Sequence, residues 1–200
     1  MTEEELLHIA FSSCFLIFLF ERGYFQSKAM RTSGELAKYK TKKFSLLGLL
    51  VIFIFAQLWV LGTFIFILNP SFLDWSALPL PSSIKWIGLV LTALGMGVEF
   101  STQLYLGRNY STLLNIREKH SLITTGPYRY VRHPMYTALI TVGVGLSFLS
   151  ANWYFALPFI VTIVVIILRI KKEEEVMIDK FGEEYIQYMK KTKRFIPFLF

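Results

Sequence analysis

The sequence has little of what disulfide-stabilised or metal-binding proteins use. Its single cysteine, Cys14, lies in an apolar run and offers no disulfide framework. Its three histidines, His8, His120 and His133, are too scattered to make a metal site persuasive. No internal repeat, low-complexity tract or lipidation signal is visible. We therefore expect a chain without a disulfide framework that binds no metal.

Positive charge is missing from the first residues. Met1–Glu5 contains three acids and no lysine or arginine, whereas a secretory signal peptide begins with positive charge. The apolar run that follows, Leu6–Phe20, is therefore predicted to be a retained first membrane span, although it is short.

Apolar residues are abundant. The sequence is 54% hydrophobic, has a mean hydropathy of +0.49 and contains 19 phenylalanines, which indicates an all-α integral membrane protein. The last two apolar runs are joined by only three residues and predict a helical hairpin. Five transmembrane helices are predicted, at Leu6–Phe20, Phe44–Leu68, Ile84–Leu106, Pro134–Leu149 and Trp153–Leu168.

The basic residues are confined to three connecting segments. Of the 21 lysines and arginines, 20 fall in residues 21–43, 107–133 and 169–200, which five spans would put on one side. The positive-inside rule then predicts that the N-terminus is outside and the C-terminus cytoplasmic, in a cell inner membrane or an endomembrane. This distribution also accounts for the net charge of +7 without a nucleic-acid partner.

An unusual polar segment, Gly126–Tyr136, precedes the fourth span. Gly126-Pro127 predicts a tight turn, and Pro134 suits the first turn of a helix. We expect this helix start to present free N–H groups, such as those of Met135 and Tyr136, to an anion. The tyrosines could hold a flat heterocycle, or they could be interfacial anchors beside arginines that only set topology.

The segment after the fifth span carries a second polar group. Arg169 and Glu173 are four residues apart and share one face if the fifth helix continues past the membrane. Glu174 extends an acidic patch that neighbouring lysines, a cationic ligand or ordinary solvation would balance. Phe181-Gly182 predicts a helix end. A short amphipathic helix within 183–193 is predicted to follow it.

These two segments together resemble the isoprenylcysteine carboxyl methyltransferase family and its phospholipid methyltransferase relatives. The resemblance covers roughly residues 105–197, and it divides the chain into a three-span region, 1–106, and a catalytic region, 107–200. The elements that carry the resemblance are His120, Gly126-Pro127-Tyr128, Arg132-His133-Pro134-Met135-Tyr136, Arg169, Glu173-Glu174, and Phe181-Gly182-Glu183-Glu184-Tyr185 with Tyr188.

The resemblance implies methyl transfer from S-adenosylmethionine (SAM), with S-adenosylhomocysteine as product, inside a membrane domain. No glycine-rich Rossmann fingerprint is present, which agrees with this. Arg169 would face the acceptor and act with Glu173 and Glu174 in catalysis. The implied cofactor-binding residues are His120, Ser121, Leu122, Ile123, Tyr128, His133, Pro134, Met135, Tyr136 and Glu173.

The acceptor implied by the resemblance is lipophilic, most simply the carboxylate of an isoprenylcysteine-like small molecule or prenylated protein within the lipids. An amine of a phospholipid is the alternative, and its proton would pass to Glu174 or His133. An NADPH-dependent membrane reductase and a small transporter or scaffold stay open as other classes. Glu99, an acid within the third span, either lines the pocket or pairs with a loop arginine.

Overall fold

The protein is all-helical in its computed structural model, which describes residues 1–31, 46–107 and 121–196. The described residues form no strand, and the predicted fold class is confirmed to that extent. Short 3-10 helices occur at Pro70–Ser76 and Gly126–Arg129. The α-helices are α1 (Glu3–Arg31), α2 (Leu46–Leu68), α3 (Ser82–Leu106), α4 (Pro134–Ser150), α5 (Trp153–Phe181) and α6 (Glu183–Lys191).

Three stretches are long and apolar enough to cross a membrane by length and composition: Glu3–Lys28, Ser82–Leu106 and Trp153–Phe181. The apolar stretches Gln57–Leu68 and Pro134–Ser150 are shorter. The count of five spans stays a prediction. The hairpin formed by α4 and α5 is present, with a turn in which Ala151 has a positive φ of 48°.

Helix ends follow local sequence signals. Thr2 and Glu5 form a capping box, in which the Glu5 N–H donates to Thr2 Oγ1 at 3.2 Å and the Thr2 N–H donates to Glu5 Oε2 at 2.8 Å. At the start of α5, the Tyr154 N–H donates to Asn152 Oδ1 at 2.9 Å. Gly182 has a φ of 54° and its N–H donates to Ile178 O at 2.8 Å, which confirms the predicted helix end.

The prediction that a polar loop begins at Glu21 is wrong, because α1 continues to Arg31. The reason is tertiary: the Arg22 Nη1 donates to Glu99 Oε1 of α3 at 2.7 Å, and Phe25 is buried against Phe100 with ring centroids 5.6 Å apart. Charged residues that would normally end a span are thereby included in the helix. Glu99 therefore has an arginine partner, which was one of the two expectations for this residue.

The contacts divide the chain into two compact units. The first comprises residues 1–18, 43–95 and 140–165. Its core is aromatic, with the Phe11, Phe66 and Phe155 rings 4.9–5.3 Å apart between centroids. Within the same unit, α3 and α4 approach closely, since a Cβ at Gly88 would lie 2.5 Å from the Leu149 backbone nitrogen.

The second unit comprises residues 19–42, 96–139 and 166–200. It contains the Arg22–Glu99 pair, the predicted polar segment before α4, the charged end of α5 and all of α6. The predicted division at residues 106 and 107 concerns function and stays a prediction. All of the predicted site residues that the structure describes lie in this second unit.

Candidate active site

The polar segment before α4 begins with a turn that requires glycine. Gly126 has a φ of 60°, and a Cβ at this position would lie 2.6 Å from the ring of Tyr105. A 3-10 helix follows at once, and the Tyr130 N–H donates to Pro127 O at 3.2 Å. The predicted tight turn is confirmed.

Pro134 begins α4, as predicted, and is buried. The expectation of a free N–H at Tyr136 is wrong, because this group donates to His133 O at 3.1 Å. The Thr137 N–H donates to the same carbonyl at 3.1 Å. The first turn of α4 therefore closes on His133 itself, and the expectation for the Met135 N–H stays a prediction.

The carboxylate of Glu173 is the centre of the site. The Tyr136 hydroxyl and the Arg169 Nε both donate to its Oε1, each at 2.6 Å. Glu173 and Arg169 are four residues apart on α5, as the shared helix face predicted. The side chains of Glu173 and Arg169 are 16% and 25% exposed, so both can be reached from outside the protein.

His133 lies between two carboxylates. Its Nδ1 is 3.8 Å from Glu173 Oε2 and its Nε2 is 3.5 Å from Glu174 Oε1. The ring stacks on Tyr136, with 5.8 Å between centroids and 19° between planes. Nε2 is buried and makes no hydrogen bond with any residue that the structure describes.

Glu174 is held by two arginines. Its Oε1 accepts from Arg132 Nε at 3.1 Å, and its Oε2 accepts from Arg194 Nη2 at 2.6 Å. The side chains of Glu174 and Arg132 are 5% and 9% exposed, so this is a buried ion pair. Arg132 Nη1 also donates to the carbonyls of Met189 and Thr192, next to α6. Glu174 thus links α5 to Arg132, which precedes α4, and to Arg194, which follows α6.

Tyr128 lies in the 3-10 helix before α4 and is joined to α6 by a hydrogen bond. The Tyr188 hydroxyl donates to Tyr128 O at 2.6 Å and so fixes the turn to α6. Burial raises the pKa of Tyr188 to about 12, which keeps this hydroxyl protonated as a donor. Burial also raises the pKa of Tyr128 above its ordinary range, and the neighbouring Tyr188 and Glu173 add to the effect. The Tyr128 phenol is therefore neutral.

The remaining predicted residues are less well connected to Glu173. Ser121 is exposed, Leu122, Ile123 and Met135 are half-buried, and their place in a cofactor site stays a prediction. His120 lies outside the described residues. Sequence reasoning missed Arg194 altogether and gave Arg132 no role beyond the motif. The one available signal was the pair of adjacent carboxylates, Glu173 and Glu174, which needed a nearby positive charge that the sequence did not identify.

Comparisons with known proteins identify the family of the chain. Residues 83–184, just over half of the chain, match the phospholipid methyltransferase family. The chain belongs to that family. The family match includes both the segment before α4 and the Glu173-Glu174 pair, and it ends before Tyr188 and Arg194. Together with the three long apolar helices, this membership identifies an integral membrane protein.

Relatives of this family member include isoprenylcysteine methyltransferases. It is 31% identical over 120 residues to protein-S-isoprenylcysteine O-methyltransferase B of Arabidopsis thaliana, which covers 57% of this chain and 61% of the relative. It is 26% identical over 122 residues to the Homo sapiens protein-S-isoprenylcysteine O-methyltransferase, covering 58% of this chain and 43% of the relative. The chain thus spans about six-tenths or less of these relatives.

A solved structure shares the fold. The structure of the eukaryotic intramembrane Ras methyltransferase ICMT (isoprenylcysteine carboxyl methyltransferase) aligns with a TM-score of 0.64 at 19% identity. The alignment covers 100% of this chain and 69% of that one. At this level of identity the likeness shows an ICMT-like fold.

Proposed function

We propose that this protein is a SAM-dependent methyltransferase that acts at the cytoplasmic membrane face on a lipophilic acceptor. The acceptor favoured is the carboxylate of an isoprenylcysteine-like molecule. The observation that carries the proposal is the Glu173 carboxylate, which Tyr136 and Arg169 hold at 2.6 Å each beside His133. Relatives whose names include isoprenylcysteine O-methyltransferase support the choice of acceptor.

The residues present fit the cofactor. SAM combines a cationic sulfonium, an amino-acid group and a flat adenine, which ask for a carboxylate, hydrogen-bonding groups and an aromatic surface. Glu173 supplies negative charge in a half-buried position, and Tyr128 and Tyr136 supply the aromatic surface. His133, whose ring stacks on Tyr136 and whose Nδ1 lies 3.8 Å from Glu173 Oε2, adds a polar side chain beside this carboxylate.

The chemistry asks the protein mainly for positioning. When bound, SAM supplies a methyl group that an acceptor carboxylate oxygen takes, with the carbon–sulfur electron pair passing to sulfur, to give a methyl ester and S-adenosylhomocysteine. A carboxylate is already nucleophilic, so no general base is needed. Arg169 would orient it through its planar guanidinium, while Tyr136 fixes Glu173 in place.

A phospholipid amine is the second candidate acceptor, and one observation favours it. An ammonium group must lose a proton before it attacks, and the His133 imidazole beside Glu173 is a side chain that can accept one. Glu174 is a poorer proton acceptor because Arg132 and Arg194 hold its charged form. We therefore assign Glu174 to positioning and His133 to the proton if the acceptor is an amine.

The test is binding of S-adenosylhomocysteine to the purified full-length protein by isothermal titration. Glu173→Gln removes the charge and retains the shape, and we expect binding at least about tenfold weaker, since a hydrogen-bonded charge contributes roughly 1.5–3 kcal/mol. Glu175→Gln is the matched control, because Glu175 is exposed on the same helix and its loss should change nothing.

Two results would overturn the site assignment. One is undiminished binding in both Glu173→Gln and Tyr136→Ala. The other is selective binding of NADPH by the wild type in place of S-adenosylhomocysteine, which would favour the reductase class. Uptake of solute by proteoliposomes without methylation of any lipid would instead favour a transporter.

A further inference from the structure

The C-terminal segment 192–196, here called the strap, runs alongside the residues that precede α4. The Arg132 N–H donates to Lys193 O at 2.7 Å, and the His133 N–H donates to Arg194 O at 3.0 Å. Val131 and Lys193 form an isolated parallel bridge. The strap therefore satisfies the backbone donors of the last two residues before Pro134.

The strap also reaches the first turn of α4. The Thr137 hydroxyl donates to Phe195 O at 2.8 Å. The Phe195 ring lies 6.4 Å from the His133 ring between centroids. His133 is thus contacted by the strap at its backbone, through Arg194, and at its ring, through Phe195. The position of the His133 side chain depends on where the strap lies.

Arg194 anchors the strap by a charged contact. Its Nη2 and Nε donate to Glu174 Oε2 and Oε1 at 2.6 and 3.2 Å, so guanidinium and carboxylate meet through two parallel hydrogen bonds. Such paired contacts are the strong ones because both partners are charged and their relative orientation is fixed. Glu174 is the residue whose Oε1 lies 3.5 Å from His133 Nε2. The Glu174 carboxylate therefore both anchors the strap and lies beside the His133 ring.

We propose that Arg194 is a positioning residue for the cofactor site, which holds the strap on Glu174 and thereby fixes His133 and Tyr136 for SAM. The inference rests on the proposed function and assigns a role to a residue outside the two motifs. Without Arg194, the strap keeps its backbone hydrogen bonds but loses its charged anchor. The His133 backbone would then exchange its carbonyl partner for water part of the time.

The fold should survive loss of Arg194. Its own side chain is 33% exposed, and the buried Glu174 carboxylate is left with one arginine rather than none. Glu174 keeps Arg132 as a buried partner at 3.1 Å. Arg132 in turn keeps the carbonyls of Met189 and Thr192. An Arg194 variant can therefore change the position of the strap while the second unit stays folded.

The experiment compares Arg194→Ala, Arg194→Lys and Lys193→Ala in the full chain. Lys193→Ala is the matched control, because it removes a neighbouring charge while its carbonyl still accepts from Arg132. We expect Arg194→Ala to weaken S-adenosylhomocysteine binding about tenfold and to raise the KM for SAM similarly, with kcat changed less. Arg194→Lys should recover part of the affinity, since lysine retains the charge but cannot form the two parallel hydrogen bonds with the carboxylate. Lys193→Ala should match the wild type.

Hydrogen exchange gives a readout that needs no cofactor. The amides of Arg132 and His133 should lose protection in Arg194→Ala, while the Ile186 amide inside α6 should not. Unchanged affinity in a folded Arg194→Ala, or an equal loss in Lys193→Ala, would overturn the proposal. If Arg194→Ala does not fold, Arg194→Lys decides the matter by the same measurements. Failure of the wild type to bind S-adenosylhomocysteine would overturn the proposed function, and the cofactor role of Arg194 with it.

Discussion

The buried pair of Arg132 and Glu174 allows a quantitative test of how the site is held together. Glu174→Gln leaves Arg132, 9% exposed, without its counter-charge, and Arg132→Met leaves Glu174, 5% exposed, with Arg194 alone. Removing the Glu174 charge costs about 3 kcal/mol or more, because the Arg132 charge then stays out of water without a counter-charge. Removing Arg132 leaves Glu174 paired with Arg194, and its cost, which we put at a similar size, comes from the weaker neutralisation of Glu174 and from the lost bonds to the carbonyls of Met189 and Thr192.

The double variant should cost much less than the sum. Once both charges are gone, neither is stranded, so we expect a total near 4 kcal/mol against about 6 for additive effects, a coupling of about 2 kcal/mol. The assay is unfolding by dodecyl sulfate in mixed micelles, followed by the fluorescence of the four tryptophans. Strict additivity of the two changes would refute the reading of Glu174 as a buried structural anion.

Two further predictions concern helix packing and helix capping. Gly145→Ala should destabilise by about 1–3 kcal/mol, because its Cβ would lie 2.5 Å from the Thr92 backbone nitrogen. Gly97→Ala, where nothing lies within 4 Å, should be neutral or stabilise by up to about 1 kcal/mol in the same unfolding assay, and equal effects would contradict the close helix approach. Asn152→Ala should cost about 1–2 kcal/mol, since it loses both the cap on Tyr154 and the 3.0 Å bond to Leu73 O, and no change would show that the turn needs neither.

Features that depend on neighbouring residues could be predicted from the sequence. Pro134 as a helix start, Gly182 as a helix end and the pairing of Arg169 with Glu173 each rest on local rules of backbone and helix geometry. The same holds for the hairpin, because only three residues separate two apolar runs. These local features sufficed to bring the two motifs into one candidate site.

Features that depend on distant partners could not be predicted. Neighbouring lysines, a cationic ligand or solvation were expected to balance Glu174, and its arginine partners are 42 and 20 residues away. The continuation of α1 beyond Glu21 has the same origin, because Arg22 pairs with Glu99, 77 residues further on. A single sequence records which charges exist, whereas the fold decides which of them meet. The contacts of the strap with Arg132, His133 and Glu174 could not be predicted for the same reason.

Methyl transfer from labelled SAM to the lipophilic components of native membranes tests the central claim most directly. Membranes that contain the wild-type protein should label a lipophilic species, S-adenosylhomocysteine should inhibit this, and Glu173→Gln should reduce it at least about tenfold while Glu175→Gln does not. A label released by mild base would identify a methyl ester and hence a carboxylate acceptor, and a base-stable label would identify an amine. Equal labelling by the wild type and Glu173→Gln, or none by a folded wild type that binds S-adenosylhomocysteine, would contradict the account.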